Sequence, residues 1–169
     1  MRQATPKVEL MMWLASLGGL NTKAMLCRKG IISPQAVYCT FCHTQEEDIH
    51  HLLVNCLVSR GIWEKLAAEL GYNITRHDTL RQHYESWISQ RVRNKIRKKL
   101  WIATFFAATW SLWKQRNAMV FDHQPLDTAA LTHTICWRVA VWSRYWKEKI
   151  SYTSEMLAKN FSSIPILFS

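Results

Sequence analysis

Glycine and proline are scarce in this sequence, with 5 and 4 residues among 169. Tight turns depend on these residue types, so their scarcity argues against a β-rich chain. No stretch approaches the roughly 18 consecutive apolar residues that a membrane-spanning helix needs. The N-terminus lacks the apolar run and small-residue cleavage site of a secretory signal. We therefore expect an intracellular protein, in the nucleus or cytoplasm. The five basic residues among the first 35 leave an organelle open.

Patterns that carry catalysis are also missing. Chemistry that uses two divalent ions needs paired carboxylates, and the acidic run at residues 46–48 is interpreted as a solvated face. The chain has four aspartates, none adjacent to another: Asp48, Asp78, Asp122 and Asp127. There is no Gly-rich phosphate loop, no Gly-x-Ser-x-Gly elbow and no His-Glu-x-x-His pattern. We therefore expect no enzyme.

The overall composition is that of a folded, basic protein. Hydrophobic residues make up 49% and charged residues 20%, which is enough apolar material for one domain, or for two small pieces that share a core. The 22 Lys and Arg exceed the 12 Asp and Glu, giving a formal charge of +10. Such an excess suits a nucleic acid, but also an anionic membrane surface, or solubility alone.

Three of the five cysteines lie in the stretch "CTFCHTQEEDIHHLLVNC", residues 39–56. The spacing is Cys39-x2-Cys42-x8-His51-x4-Cys56, which supplies four N and S ligands. Clustered cysteines in a reducing compartment favour a metal over a disulfide. Four such ligands with no open position describe structural zinc (Zn2+) rather than catalytic zinc. Zinc would add folding energy that a small segment could not obtain from its own core.

The spacing leaves some alternatives open. His50 or His43 could replace His51 as the fourth ligand, although the spacing favours His51. Cys27 and Cys136 lie far from the cluster in helical, apolar surroundings, and we interpret both as buried structural cysteines.

Helical periodicity dominates, so the predicted fold class is mostly α: a small zinc-stabilised Cys3His module followed by a long α-helical hairpin. Gly18-Gly19 favours two short helices over residues 8–30 rather than one. A further helix is predicted from a Ser59 cap to a stop at Gly71. We divide the chain into a zinc-binding module, a polar linker, a Trp-rich hairpin and a loosely attached tail, at residues 1–72, 73–86, 87–150 and 151–169.

The segment "RVRNKIRKK", residues 91–99, holds six basic residues and no acid. On a helix, Val92, Ile96 and Leu100 would face the core, and the cations would gather elsewhere. This pattern predicts a phosphate-contacting surface that does not read bases, although a solvated face explains it equally well and a localisation signal is a third reading. The candidate nucleic-acid-binding residues are Arg91, Arg93, Lys95, Arg97, Lys98 and Lys99.

Tryptophan is abundant, with nine residues, most of them in the predicted hairpin. Tryptophan-rich helical faces are more often core or protein interface than base-stacking platforms. We expect some of these rings to remain exposed and to bind a protein partner or a second copy of the chain.

Two ordered motifs resemble a known family. Residues 6–63 are similar to the zinc-binding domain that follows the polymerase domain in plant non-LTR (LINE-type) retrotransposon reverse transcriptases. The similarity includes the Pro-Lys-Val opening, "LNT", "RKGI" and the Cys-x2-Cys-x8-His-x4-Cys pattern. "WSLWKQRNAMVF", residues 110–121, is similar to a Trp-x2-Trp-x2-Arg-Asn-x3-Phe signature that often follows in the same polyproteins.

The resemblance implies that the residue at position 51 is the metal ligand. It implies a fragment without polymerase, endonuclease or ribonuclease H, so no activity is carried over. Two functions remain: a non-catalytic zinc-stabilised module that binds nucleic acid without sequence preference, and a protein-interaction factor that uses the Trp-rich helices.

Overall fold

Helices supply almost all regular structure in residues 5–169, the part of the chain that this computed structural model describes. The only β pairing in that range is an isolated antiparallel bridge between Tyr38 and Glu46. The mostly α prediction is therefore confirmed. The α-helices are α1 Pro6–Ser16, α2 Lys23–Arg28, α3 Leu57–Glu69, α4 Leu80–Ser89, α5 Lys95–Phe121, α6 Thr128–Ser143, α7 Ser154–Lys159 and α8 Ile164–Leu167. Short 3-10 turns occupy Pro34–Ala36 and Phe161–Ser163.

The first two helices are separate, as the double glycine predicts. Gly18 has a φ of +66°, a conformation that ends α1 and that only glycine adopts without strain. Thr22 then caps α2 by accepting a hydrogen bond from the Met25 amide at 3.3 Å.

Helix α3 begins earlier than predicted, and the Ser59 cap is wrong. Cys56 occupies the N-cap position, and Ser59 lies inside the helix, where its hydroxyl donates to the Leu52 carbonyl. The chain turns at Cys56, which has a φ of −55° and a ψ of 137°. The predicted stop at Gly71 is confirmed, with a φ of +80°.

A helix begins within the predicted linker, residues 73–86, and extends three residues beyond it. Helix α4 begins after Thr79, which forms a reciprocal capping box with Gln82. Leu80, His83 and Trp87 are buried on one face. The expectation of a polar linker therefore fails from residue 80 onward, because a few apolar side chains suffice to dock a short capped helix. The domain boundaries themselves stay a prediction.

Helices α5 and α6 form the predicted hairpin, with different ends. The chain breaks at residues 90–94 before Asn94 caps α5, and α6 ends at Ser143 rather than near Ile150. Asp127, between the two helices, caps α6 by accepting from the Ala130 amide at 2.9 Å. Within residues 5–169, no helix has the length and hydropathy that crossing a membrane requires.

A tryptophan cluster joins the N-terminal part of the chain to the hairpin. The Trp87 and Trp101 rings stack with centroids 3.9 Å apart, and each indole N–H donates to the other residue's carbonyl. Trp63 from α3 meets Trp87 edge-on at 5.1 Å and Phe105 at 5.2 Å. Helices α3, α4 and α5 therefore share one core. The expectation that tryptophans serve mainly as core holds for these three, which are at most 2% exposed.

Residues 151–169 are packed rather than loosely attached, which corrects that expectation. Helix α7 packs on α6, and the chain then returns toward α3. Its short turns bury a set of apolar side chains: Leu157, Ala158, Phe161, Ile164 and Phe168. Their spacing changes from turn to turn, so a single helical period does not reveal them.

Candidate metal centre

Cys39 and Cys42, the first two cysteines of the predicted metal site, lie in a tight turn at the end of the isolated β bridge. The Cys39 amide donates to the Gln45 carbonyl at 2.7 Å, and the His43 amide donates to the Cys39 carbonyl at 2.9 Å. His43 has a φ of +56°, a left-handed conformation that lets the chain reverse. The turn therefore presents Cys39 and Cys42 on the same side.

The other two cluster residues lie at the ends of one π-helical turn, His51–Asn55. The Cys56 amide donates to the His51 carbonyl at 2.7 Å, an i to i+5 bond. In a regular α-helix, side chains five residues apart point about 140° away from each other. The wider π-helical turn brings the His51 and Cys56 side chains to the same side of the chain. The Asp48 carboxylate supports its start by accepting from the His51 amide at 2.7 Å.

The four donor atoms of Cys39, Cys42, His51 and Cys56 all lie within 4.8 Å of one another. The Cys39 and Cys56 sulfurs are 3.9 Å apart, and the Cys42 sulfur is 3.3 Å from His51 Nε2. Ligands at zinc-like bond lengths and tetrahedral angles lie about 3.8 Å apart for two sulfurs and about 3.5 Å apart for sulfur and nitrogen. A disulfide would need about 2.05 Å. The spacing fits one tetrahedral zinc ion.

The surroundings of the sulfurs fit thiolate ligands. The Phe41 amide donates to Cys39 Sγ at 3.4 Å, and the Thr44 hydroxyl donates to Cys42 Sγ at 3.2 Å. A hydrogen bond from Cys39 lowers the pKa of Cys56, and backbone amides at the start of α3 act in the same direction. The same contact, together with burial, raises the pKa of Cys39, because two sulfurs this close share one proton. A bound cation would favour ionisation of both.

The alternative histidines lie outside this group. His50 Nδ1 accepts a hydrogen bond from the Leu80 amide at 3.2 Å, which connects the metal segment to α4. His43 is exposed and completes the turn. His51 Nε2 faces the sulfurs, while its buried Nδ1 has no hydrogen-bond partner among the described residues. Cys136 is buried as predicted, and Cys27 is half-buried.

Glu47 is fully buried, which corrects its assignment to a solvated acidic face. Its carboxylate accepts from the Lys23 amide at 3.1 Å and the Thr40 amide at 2.8 Å. It also accepts from Arg116 Nη2 and Nε at 2.7 and 2.9 Å. Burial alone would raise the pKa of Glu47, but hydrogen bonds from Arg116 and Thr40 outweigh burial and lower the pKa. Only Glu46 of this run is well exposed.

The ion pair connects two motifs that are distant in sequence. Arg116 lies in the Trp-x2-Trp-x2-Arg-Asn segment of α5, 69 residues beyond Glu47, and is 2% exposed. Its guanidinium lies 5.3 Å from the Trp113 ring centre and donates to Asn117. An arginine in a tryptophan-rich helical motif indicates a buried acidic partner. No spacing in the sequence identifies Glu47 as that partner.

The candidate nucleic-acid-binding residues fall into two groups at the start of α5. The side chains of Arg91, Arg93, Lys95 and Lys98 are exposed. Arg97 lies over the Tyr72 ring and donates to the Leu70 carbonyl, and Lys99 pairs with Glu148. Val92 is buried as expected, although it precedes the helix. Contact of these residues with nucleic acid stays a prediction.

Comparison with known families agrees with the geometry. Residues 1–63 match the family model described as zinc-binding in reverse transcriptase. The matched range contains all four cluster residues and ends at Trp63. This segment is therefore similar to the zinc-binding part of reverse transcriptase and not to the catalytic part. No curated protein and no solved structure matches the chain. The family match and the Cys3His cluster together support structural zinc as the cofactor.

We predict one zinc per chain, held by His51 and not by His50. His51→Ala should release the metal and lower the melting temperature strongly, because it vacates one of four coordination positions. His50→Ala is the matched control, since it removes only an acceptor for the Leu80 amide. Native mass spectrometry and thermal unfolding measure both. Equal zinc loss in the two variants would contradict the ligand assignment.

We also predict that Glu47→Ala destabilises the protein by about 3 to 5 kcal/mol, because it leaves a buried, unpaired guanidinium. Glu46→Ala is the exposed control and should change stability by less than about 0.5 kcal/mol. Urea unfolding of the zinc-loaded chain measures both. The double variant Glu47→Gln with Arg116→Met should cost less than the sum of its single changes, because it removes both charges together. Additive costs would mean that the two residues are not coupled.

Proposed function

We propose that this chain is a non-catalytic, zinc-stabilised module derived from a plant LINE-type retrotransposon, and that it binds nucleic acid without sequence preference. The observation that carries the proposal is the cluster of exposed cations at the start of α5: Arg91, Arg93, Lys95 and Lys98. The origin rests on the family match and on the two ordered motifs. An intracellular location is part of the proposal.

The charge distribution supports a polyanionic partner. No Asp or Glu occurs between residues 86 and 121, so α5 carries cations with no acid of its own. Basic side chains near phosphates release condensed counterions, which is the main source of sequence-independent affinity. Side chains that reach phosphates set the position of a protein on nucleic acid and carry no base information.

The position of these cations is electrostatically unfavourable in the free protein. A helix N-terminus carries a partial positive charge and favours acidic residues, yet the first turn of α5 has none and instead bears Lys95, Arg97 and Lys98. A sequence that goes against the electrostatic preference of a helix end is expected where that end forms a binding site. A phosphate at this end would relieve the repulsion, because helix N-termini favour anions.

The contacts within the protein rank the six candidates. Arg97 is held between the Tyr72 ring and the Leu70 carbonyl, and Lys99 is held by Glu148. The four exposed cations are therefore the primary phosphate contacts, and Arg97 and Lys99 act mainly in packing. The closed four-ligand metal cluster supports a structural rather than a catalytic role for zinc.

The test of this proposal is salt-dependent binding by the zinc-loaded chain. Fluorescence anisotropy with labelled oligonucleotides of unrelated sequence should give similar affinities that fall steeply with salt. Lys95→Gln with Lys98→Gln should lower the magnitude of the log–log salt slope by about 1.4 to 1.8. The melting temperature should stay the same or rise, because charge repulsion at the helix end is reduced.

The matched control removes two exposed lysines elsewhere, by Lys65→Gln with Lys114→Gln. The control should leave the slope nearly unchanged while having the same net charge as the test variant. Absence of binding at low salt would refute the proposal. Equal slopes in the two double variants would show that net charge alone acts, and would refute the assigned surface.

An exposed apolar stripe on α1 favours the second candidate function, interaction with a protein. Leu10, Trp13 and Leu17 follow helical spacing and are 56%, 58% and 64% exposed. In the hairpin, by contrast, Trp137 is the one tryptophan that is well exposed, at 43%, and the others are buried or half-buried. The α1 stripe is therefore a better candidate for a protein contact than the hairpin tryptophans.

If this stripe supports self-association, the molar mass from light scattering should rise with protein concentration. Trp13→Lys should then hold the chain monomeric, because it places a charge within the apolar contact. Phe121→Lys, at an exposed aromatic outside the stripe, is the control and should still associate. A constant monomer mass in the unmodified chain would exclude self-association.

A further inference from the structure

A second exposed basic segment follows α6, at residues 144–149. Its cations Arg144, Lys147 and Lys149 are exposed, and Tyr145 is 85% exposed. A tyrosine ring this open, with basic side chains on both sides in the sequence, has the composition of a base-stacking site in proteins that bind single strands.

This segment lies beside the basic start of α5. Glu148, between the two lysines, pairs with Lys99, and the Lys99 ammonium lies 5.9 Å from the Trp146 ring centre. Lys99 lies in the first turns of α5, next to Lys98 in the sequence, so this ion pair places residues 144–149 close to the basic start of the helix. Lys99 pairs with Glu148, the only acid of the segment, which also interacts with the charge of Lys147.

Hydrogen bonds and buried neighbours hold the backbone at Tyr145 in place. The Tyr145 amide donates to the Trp142 carbonyl at 3.1 Å, and the Trp146 amide donates to the Ser143 carbonyl at 3.3 Å. Ser143 and Ile150, just outside the two ends of the segment, are buried. A backbone held in this way loses little freedom when a base stacks on the ring that it carries.

We propose that residues 144–149 extend the nucleic-acid surface and make it select single strands: an unpaired base stacks on Tyr145, and the adjoining phosphates contact Lys147 and Lys149. The inference rests on the proposed function and names its partner class. A projecting ring can reach the face of an unpaired base, whereas the base faces of a duplex are covered by their neighbours. The strand continues from this segment to Lys98 and Lys95.

The experiment compares the zinc-loaded chain and its variants on labelled oligothymidylate and on the duplex of that strand with oligoadenylate. Tyr145→Ala should weaken single-strand binding by about 5-fold to 150-fold, the loss expected for one stacked base. Its salt slope should not change, because stacking releases no counterions. Tyr145→Phe retains the ring and should bind within about twofold of the unmodified chain.

Two further variants separate stacking from charge. Lys147→Gln with Lys149→Gln should lower the magnitude of the single-strand salt slope by about 1.4. Phe121→Ala removes a 70% exposed ring at the other end of α5, about 40 Å from Lys95, and should have no effect. Melting temperatures and zinc content of all variants should match the unmodified chain, since the altered side chains are exposed.

Failure of this inference is distinguishable from failure of the proposed function. If the unmodified chain binds neither probe, both are refuted. If it binds but neither Tyr145→Ala nor the lysine pair changes affinity, only the second segment is refuted and the start of α5 stands. An equal loss on the duplex after Tyr145→Ala would overturn the selection of single strands.

Discussion

The buried ion pair between Glu47 and Arg116 holds the two halves of this protein in one arrangement. Glu47 lies within the metal-binding loop, where it also accepts from the Thr40 amide beside Cys39, and Arg116 lies near the C-terminal end of the long helix α5. Removing two charges from water is costly, so such a pair persists only when the geometry satisfies both groups. The loop that carries the cysteines is therefore built against the hairpin rather than on its own.

Zinc and the tryptophan core stabilise the same region in different ways. The metal segment buries Phe41, Ile49, Leu52, Leu53 and Val54. Its two ligand pairs nevertheless come from a left-handed turn at His43 and a π-helical turn, which the backbone alone would not favour. A tetrahedral ion compensates for that cost. Directly behind it, Trp63, Trp87 and Trp101 bury their rings and satisfy each indole N–H with a backbone carbonyl. The family match ends at Trp63, but the core that this residue enters continues through α4 and α5.

The sequence predicts the parts of this structure that depend on short spacing. The Cys-x2-Cys turn, the helix break at Gly18 and the stop at Gly71 follow from local rules, and the structure confirms them. The π-helical turn between His51 and Cys56 does not follow, because a regular helix would explain the same letters. The burial of Glu47 depends on a partner 69 residues away, which no local pattern contains. Helix α4 and the packed C-terminal turns do not follow from the sequence, because their apolar residues are too few or too irregularly spaced to give a periodic signal.

The basic surface at the start of α5 differs from the rest of the molecule in how its charges are paired. Arg116 and Lys99 are each paired with an acidic residue of a distant segment. The exposed cations at the start of α5 have no acid on their own helix and lie at the helix end that repels them. Residues 144–149 bring two more lysines and an open tyrosine to the same place through the pairing of Glu148 with Lys99. The Glu47–Arg116 pair is satisfied within the fold, whereas the positive charge at the start of α5 is not balanced on its own helix. The partner that we propose, a flexible strand of phosphates and unpaired bases, would match both this charge and the exposed Tyr145 ring.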